Sequence, residues 1–367
     1  MKKFYELTFQ ERRRWLENQH VALMPIDTAQ LERADHLSEN VFSTLTLPVG
    51  LIPDLVVNDS HFQVPMATEE PSVIAGANHG SRFLIKAGGS HAFSFRSGIW
   101  GQIVLKKGSS FNDVRFQKEL VLLKHKTNQK FDHLVRHGGG VRKFFPRFAA
   151  QKINLRVLID PSEAMGANLV NTILEFMADE LSQSDLTESK SFAIVSNYPS
   201  QLTKVNAELP VSLFGKEAEG LKVAKDIEAL SDLGCHDVYR AVTNNKGIMN
   251  GVDAVLMATG NDTRAVEASN AVLACHRGQY TSLSQWHVAK GILKGQLTLS
   301  LPLGIVGGSI EARPDVKQNL QLLSRNEDFS VRDLAQIIAS VGLASNLAAL
   351  HAIVTSGIQA GHMKLQA

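Results

Sequence analysis

The stretch that decides the fold is Thr243-Asn244-Asn245-Lys246-Gly247-Ile248-Met249-Asn250-Gly251, followed by Val252 to Gly260 and then Asn261-Asp262-Thr263-Arg264-Ala265. Asn and Gly cluster in its first part, as they do in loops. Val252, Ala254, Val255, Leu256 and Met257 are apolar enough for a buried strand. Asn261 and Asp262 are residue types that cap a helix N-terminus, and Arg264 to Cys275 can form that helix. The order is then loop, strand, loop, helix. It predicts a lysine, Lys246, and a carboxylate, Asp262, in the loops at the two ends of one buried strand. A Lys facing an Asp in a cleft suits polarising a carbonyl and passing a proton to the alkoxide that forms.

Outward from this block the texture changes along the chain. Residues 1 to 35 look helical and charged, and residues 40 to 66 resemble short strands and turns. Gly101 to Lys107, Ile153 to Asp160 and Ser191 to Ser196 read as strands; in the second, Ile153, Leu155, Val157 and Ile159 alternate. Asp113 to His137 reads as a helix stopped by Gly138-Gly139-Gly140. Met165, Leu169, Ile173 and Met177 mark an amphipathic helix. Strands alternating with helices here predict a small α+β unit inserted into a larger domain. Ser330-Val331-Arg332-Asp333 resembles a capping box, and Leu343, Leu347, Leu350 and Val354 continue at helical spacing.

The 367 residues suffice for two domains, and 44% apolar with 20% charged content is ordinary for a globular protein. A net charge of +2 with interspersed signs gives no basic stripe, so no nucleic-acid partner is expected. The start, Met1-Lys2-Lys3-Phe4-Tyr5-Glu6, lacks a signal peptide's apolar core, and no uninterrupted apolar run predicts a membrane span. Cys235 and Cys275 give neither a disulfide framework nor zinc spacing; the expectation is a cytoplasmic protein without metal.

The block around Lys246 resembles the catalytic segment of the class II, bacterial-type 3-hydroxy-3-methylglutaryl-CoA reductases. Further stretches agree in order: Glu39-Asn40-Val41, Glu69-Glu70-Pro71-Ser72, Ala164-Met165-Gly166-Ala167-Asn168, Val306-Gly307-Gly308 and Gly361-His362-Met363. The resemblance runs from about residue 35 to the end. It implies an α+β fold: a large mixed α/β domain for CoA-ester binding and dimerisation (1–96 and 198–355), and an inserted small α+β, ferredoxin-like, non-Rossmann unit (97–197) for the nicotinamide. It also makes 356–367 the start of a C-terminal flap.

The implied reaction interconverts 3-hydroxy-3-methylglutaryl-CoA with mevalonate plus CoA through two successive hydride transfers. The resemblance makes Lys246 the carbonyl-polarising cation, Glu70 the proton source, Asp262 the group between them, and His362 the acid for the departing thiolate. It makes Ser72, Arg240 and Asn250 substrate contacts; Arg suits the free carboxylate of the acyl group. No Gly-x-Gly-x-x-Gly is present, so the nicotinamide site falls to Glu163, Met165, Gly166, Asn168 and Asn197, with pyrophosphate at a helix N-terminus. Lys143 aligns with an aspartate of NADH-preferring members, and Arg142 and Arg147 flank it, so NADPH is the favoured cofactor and NADH the lesser one.

The resemblance further implies a homodimer, or a higher oligomer, with active sites between subunits. Three departures stand out: Glu163 where the family has Asp, Ser43 where it has Gly, and few residues after His362. The last leaves an alternative, a catalytically weak CoA-ester-binding dimeric homologue lacking the flap.

Overall fold

The computed structural model describes residues 2–275, 278–324 and 328–357. Its chain divides into two compact units, Met1–Pro48 and Val49–Ala367. The first holds helices α1 (Phe9–Glu17) and α2 (Thr28–Leu37), begun by Thr8 and Asp27, whose side chains accept from backbone N–H groups three residues on. The buried Arg12 pairs with Asp35 and also donates to the Val41 carbonyl (3.2 Å), fixing the Glu39-Asn40-Val41 segment.

The second unit begins with an antiparallel hairpin, β1 (Val49–Val57) and β2 (Ser60–Ala67). Helix α3 (Pro71–Lys86) follows, with Pro71 at its first turn, where a missing N–H costs nothing. Then come β3 (His91–Arg96), β4 (Ile99–Lys107), α4 (Asp113–Lys130), α5 (Asp132–Arg136), β5 (Gly140–Phe148), β6 (Lys152–Asp160), α6 (Ala167–Leu181), β7 (Thr187–Ser196) and β8 (Gln201–Pro210). The chain continues through α7 (Glu217–His236), α8 (Val238–Ala258), α9 (Thr263–Ala274), β9 (Ser284–Ala289), β10 (Ile292–Ser300), α10 (Ser309–Ala312), α11 (Pro314–Leu323) and α12 (Val331–Val354).

Two larger sheets result, both antiparallel. One has the order β3-β8-β10-β9, the other β5-β6-β4-β7. The second is a β-α-β-β-α-β arrangement, the split βαβ plan. Ile103, Leu105, Leu155, Val157 and Ile159 fill its core with Phe116 and Leu120 of α4 and Ile173, Leu174 and Met177 of α6. The first sheet shares a separate core with α3, α8 and α12.

The strand expected over Val252–Gly260 is absent: α8 is one helix of 21 residues running through Lys246 and Met257. Its apolar run reads equally well as a helix segment buried all round, and periodicity cannot separate the two. The apparent loop residues are buried helical positions. Asn245 Nδ2 donates to the Thr281 carbonyl (2.9 Å) and its Oδ1 accepts from Leu283 N (2.9 Å). Lys246 is therefore mid-helix, not in a loop.

The helix starting at Asp262 and the capping box at Ser330 are as expected; Ser330 accepts from the Asp333 backbone and Asp333 reciprocates. The stretch read as one helix over 113–137 is helical but broken at Phe131 into α4 and α5. Helix α12 is long and apolar enough, at mean hydropathy 1.9, to cross a membrane, but 67% of that stretch is buried inside the protein, so it is a core helix.

Helix α12 crosses α3 closely. A Cβ on Gly80 would lie 1.9 Å from the Ala344 carbonyl oxygen. Backbone cannot yield there as a side chain would, so Gly80→Ala is expected to cost at least about 1–3 kcal/mol. A urea midpoint equal to that of the parent would overturn this reading of the crossing.

Candidate active site

Four loops of the second unit meet, and one asparagine sets their spacing. Asn261, just before α9, accepts from Gly304 N (2.8 Å) and donates to Gly304 O (3.1 Å). Nine residues on, Asn270 grips Ser300 in the same way, accepting from its N–H (2.9 Å) and donating to its carbonyl (2.9 Å). The segment leaving β10 is thus clamped at both ends by α9 and its entry loop. Gly304 in turn lies on the loop before α6: a Cβ there would stand 2.3 Å from Met165 N. Ala164 bridges Val306, and Ile305 N donates to the Glu163 carbonyl (2.9 Å).

Arg96 completes the joint from the end of β3. It donates to the Ser162 carbonyl (3.0 Å) and the Leu303 carbonyl (3.4 Å). Burial lowers its pKa, while Asp160 and Glu163 oppose that fall. Sequence reading missed Arg96, Asn261, Asn270 and Gly304. An Asn-x-x-small motif carries no signal of its own; only the pairing of side chain with distant backbone reveals it.

The expected nicotinamide residues fall around this joint. Met165 and Asn197 line one narrow cleft, together with Ala167, Tyr198, and Ser269 of α9. Gly166 is the N-cap of α6 at φ 86°, a left-handed conformation, and a Cβ would meet Pro161 at 2.2 Å. Gly166 and the α6 N-terminus present bare backbone N–H groups, which suits a phosphate. Asn168 is exposed in the first turn of α6.

Glu163 is engaged elsewhere: its carboxylate accepts from Val331 N (2.7 Å), the first residue of α12. Arg142 is also committed, to Asp160 (2.8 Å) and the Gly138 carbonyl. Lys143 is exposed past an irregularity in the β5–β6 register and pairs across to Leu158.

The expected catalytic residues are less tightly gathered. Glu70 is the N-cap residue of α3, and the Ser72 hydroxyl donates to its carboxylate. Asp262 caps α9 through Ala265 N (3.1 Å) and lies 3.7 Å from Arg264. Lys246 is exposed on α8, with no ion pair among the described residues. The structure does not pair it with Asp262, since about 18 Å of helix separates Lys246 from Ala258. Asn250 stands one turn after Lys246, on the same face. Arg240 lies in the first turn of α8, its Nε buried without a hydrogen-bond partner among the described residues; burial lowers its pKa. His362 lies outside the described residues.

One carboxyl was not anticipated. Asp253 continues the Lys246–Asn250 face, and its pKa is pushed up to about 8 by burial first, then by the charge and hydrogen bond of Glu267.

A narrow cleft of this make, beside larger sheets that are antiparallel throughout the described residues, fits the class of nicotinamide-dependent oxidoreductases that lack a parallel dinucleotide-binding sheet. The match to known proteins narrows it. The family model for hydroxymethylglutaryl-coenzyme A reductase matches residues 8–367, and the chain belongs to that family. It is 33% identical to the 3-hydroxy-3-methylglutaryl-coenzyme A reductase of Archaeoglobus fulgidus, over 99% of this chain and 85% of that one. It is 34% identical to a probable reductase of Borreliella burgdorferi, covering 90% and 76%. The 3-hydroxy-3-methylglutaryl-coenzyme A reductase of Streptococcus pneumoniae superposes with a TM-score of 0.81 at 35% identity, covering 96% of this chain and 98% of that one. A class II structure from the same organism, bound to NADPH in open conformations, gives 0.80 at 35% identity, covering 96% and 99%.

Because the folded chain holds the Asp253 proton up to about pH 8 while an unfolded aspartate loses it near pH 4, its contribution to stability declines as pH rises through that window. Asp253→Asn cannot ionise. It is expected to raise Tm more at about pH 9 than at about pH 5; an equal change at both would exclude a raised pKa.

Proposed function

We infer that this chain reduces 3-hydroxy-3-methylglutaryl-CoA to mevalonate and CoA in the mevalonate route. The observation that carries the site is the Asn261–Gly304–Met165 stack, which builds the entry to Asp262 and the loop before α6 as one rigid assembly. The residues fit a dinucleotide there: Met165 and Asn197 would flank it, and Gly166 with the α6 N-terminus would take its pyrophosphate. A reduced nicotinamide, when bound, supplies the hydride for each of the two reductions.

The chain's own groups do the rest. The Lys246 ammonium, free of ion pairs among the described residues, stabilises the oxyanion that forms at the thioester carbonyl. Glu70, beside Ser72, donates the proton that oxyanion needs, and Asp262 orients the approach. Arg240 and Asn250 receive the acyl carboxylate and hydroxyl. His362 protonates the departing thiolate. Glu163 acts by positioning, through its hold on α12. In this reading 97–197 is the cofactor unit, and the remainder of 49–355 binds the CoA ester.

A second copy completes the site. Lys246 is exposed, Arg240 Nε lacks a partner among the described residues, and Tyr239 (88% exposed) and Val242 (51%) stand beside them. Apolar side chains so placed around charged ones mark an interface. The assembly is a homodimer, and the cysteine-poor composition suits the cytoplasm.

Following nicotinamide absorbance with 3-hydroxy-3-methylglutaryl-CoA tests the reading. Lys246→Ala is expected to lower kcat by about 100-fold or more while the variant still binds the CoA ester. Retention of over a tenth of parental kcat would remove Lys246 from the mechanism. Ester binding without turnover in the parent would leave the weak-homologue alternative standing.

NADPH is the proposed preferred cofactor, because Lys143 is an exposed cation where an acid would repel a 2′-phosphate. Lys143→Asp is expected to shift preference toward NADH through a higher KM for NADPH. A parent enzyme with kcat/KM for NADH at or above that for NADPH would refute the assignment.

A further inference from the structure

The buried face of the β3-β8-β10-β9 sheet turns polar toward the end of β3. Ser94 of β3 stands opposite Thr203 of β8, both buried, and their hydroxyls bond at 3.1 Å. Two residues on, Arg96 stands opposite Gln201 in the same register, so the two side chains leave the same face side by side. Gln201 is only 1% exposed. Both residues reach one segment: Leu301 N donates to the Gln201 carbonyl (2.8 Å), and Arg96 Nη2 donates to the Leu303 carbonyl (3.4 Å).

Each of the two also carries a donor that the protein leaves unused. Arg96 Nη1 and Gln201 Nε2 are buried with no hydrogen-bond partner among the described residues. A buried donor left unpaired is costly, a charged one most of all. The amide gains nothing by turning over, because its Oε1 accepts from Gly98 N (3.4 Å). The acids nearby are occupied: Asp160 pairs with Arg142 (2.8 Å), and Glu163 accepts from Val331 N (2.7 Å). Their charges favour the Arg96 cation from a distance, whereas Arg332 opposes it. Arg332 donates to the Ser94 carbonyl (3.5 Å) from the first turn of α12, whose dipole adds positive potential there. Positive charge and two unused donors call for an acceptor. A water molecule would answer both donors but bring two protons of its own. The nearest carbonyls, of Ser162 and Leu303, already receive Arg96 Nη2. A small inorganic anion only accepts, and it supplies the countercharge that Arg96 lacks.

We propose that Arg96 and Gln201 bind one small monovalent anion of the chloride class, which joins β3 and β8 to the loops at Ser162 and Leu303. The site stands apart from the reacting groups but adjoins their cleft. Ser200, Ser300 and Pro302, neighbours in sequence of Gln201, Leu301 and Leu303, line the cleft of Met165 and Asn197. Occupancy of the site stiffens that wall.

Thermal unfolding of the full chain is followed as sodium chloride replaces sodium gluconate, a bulkier anion, at fixed ionic strength. Tm is expected to rise along a saturable curve, by about 2 °C at roughly tenfold excess over Kd. Gln201→Glu places a carboxylate beside Arg96 and keeps an acceptor for Gly98 N. It should hold the higher Tm in gluconate and lose the chloride response. A crystal soaked in bromide should give an anomalous peak within hydrogen-bonding reach of Arg96 Nη1 and Gln201 Nε2. An equal chloride response in the parent and Gln201→Glu is a general salt effect and overturns the site. A bromide map with water alone at that place overturns it too, and decides the matter if Gln201→Glu does not fold. In turnover, chloride should lower KM for the reduced nicotinamide about fivefold in the parent and not in Gln201→Glu, the low end of coupling between sites. A KM that chloride does not move overturns the link to the cleft wall. The Tm and bromide measurements need no turnover, so a chain that fails to reduce the thioester leaves the anion site standing.

Discussion

Gly304 is held through both of its backbone groups by one side chain, Asn261, and presses without a Cβ onto the backbone of Met165. The rest of the site depends on that contact. It fixes the entry to α9, and with it Asp262, against the loop that begins α6. Arg96, bonded to Ser162 and Leu303, and Glu163, bonded to the start of α12, lock the same loops from two further sides. Each bond is worth about 1 kcal/mol alone, and more where a charge takes part. Their joint effect is geometric, because irregular backbone buried between two cores has no other partners for its N–H and C=O groups.

A second buried polar chain places α8. Trp286 Nε1 donates to Asn346 Oδ1 (2.8 Å), Asn346 Nδ2 donates to Asn244 Oδ1 (2.9 Å), and Asn244 Nδ2 donates to Ser282 Oγ (2.7 Å). This ties α12, α8 and the approach to β9 in one register. Rotation of α8 by one residue would leave several of these groups unpaired in the core. Lys246 follows Asn244 and Asn245 directly, so the network that buries the asparagines also sets where the lysine emerges.

Much of this was legible in the residues. The helix at Asp262, the capping box at Ser330, the stripe of Ile173 and Met177, and the alternation of Ile153 to Ile159 all carry local periodic or capping signals, and each appears as read. The failure at Val252–Gly260 is instructive. Asn244, Asn245 and Gly247 resemble turn residues, and the apolar run after them suits a strand. Tertiary bonds from the asparagines to residues 281–284 override that local preference, so the stretch folds as the middle of a helix. The expected site residues came from family resemblance rather than spacing. Arg96, Asn261 and Gly304 stayed hidden because their meaning lies in contacts across long sequence separations, which no local pattern encodes.

Sorting the cations by partner separates scaffold from site. Arg12 is consumed by Asp35 and the Val41 carbonyl, Arg96 by two loop carbonyls, and Arg142 by Asp160 and the Gly138 carbonyl. Arg12 and Arg96 are buried, and a buried cation without such partners would be costly, so these two are bound to structural duty; Arg142 is exposed and is merely occupied by its acid. Lys246, Lys143, Arg147 and Arg156 are exposed and have no acid partner among the described residues. Folding gains nothing from them, and exposure costs little. In the proposed reading their value arises when an anion arrives, as the forming oxyanion would at Lys246. The proposed substrate and cofactor are both polyanions, and these exposed cations are the ones that folding leaves without an acid among the described residues.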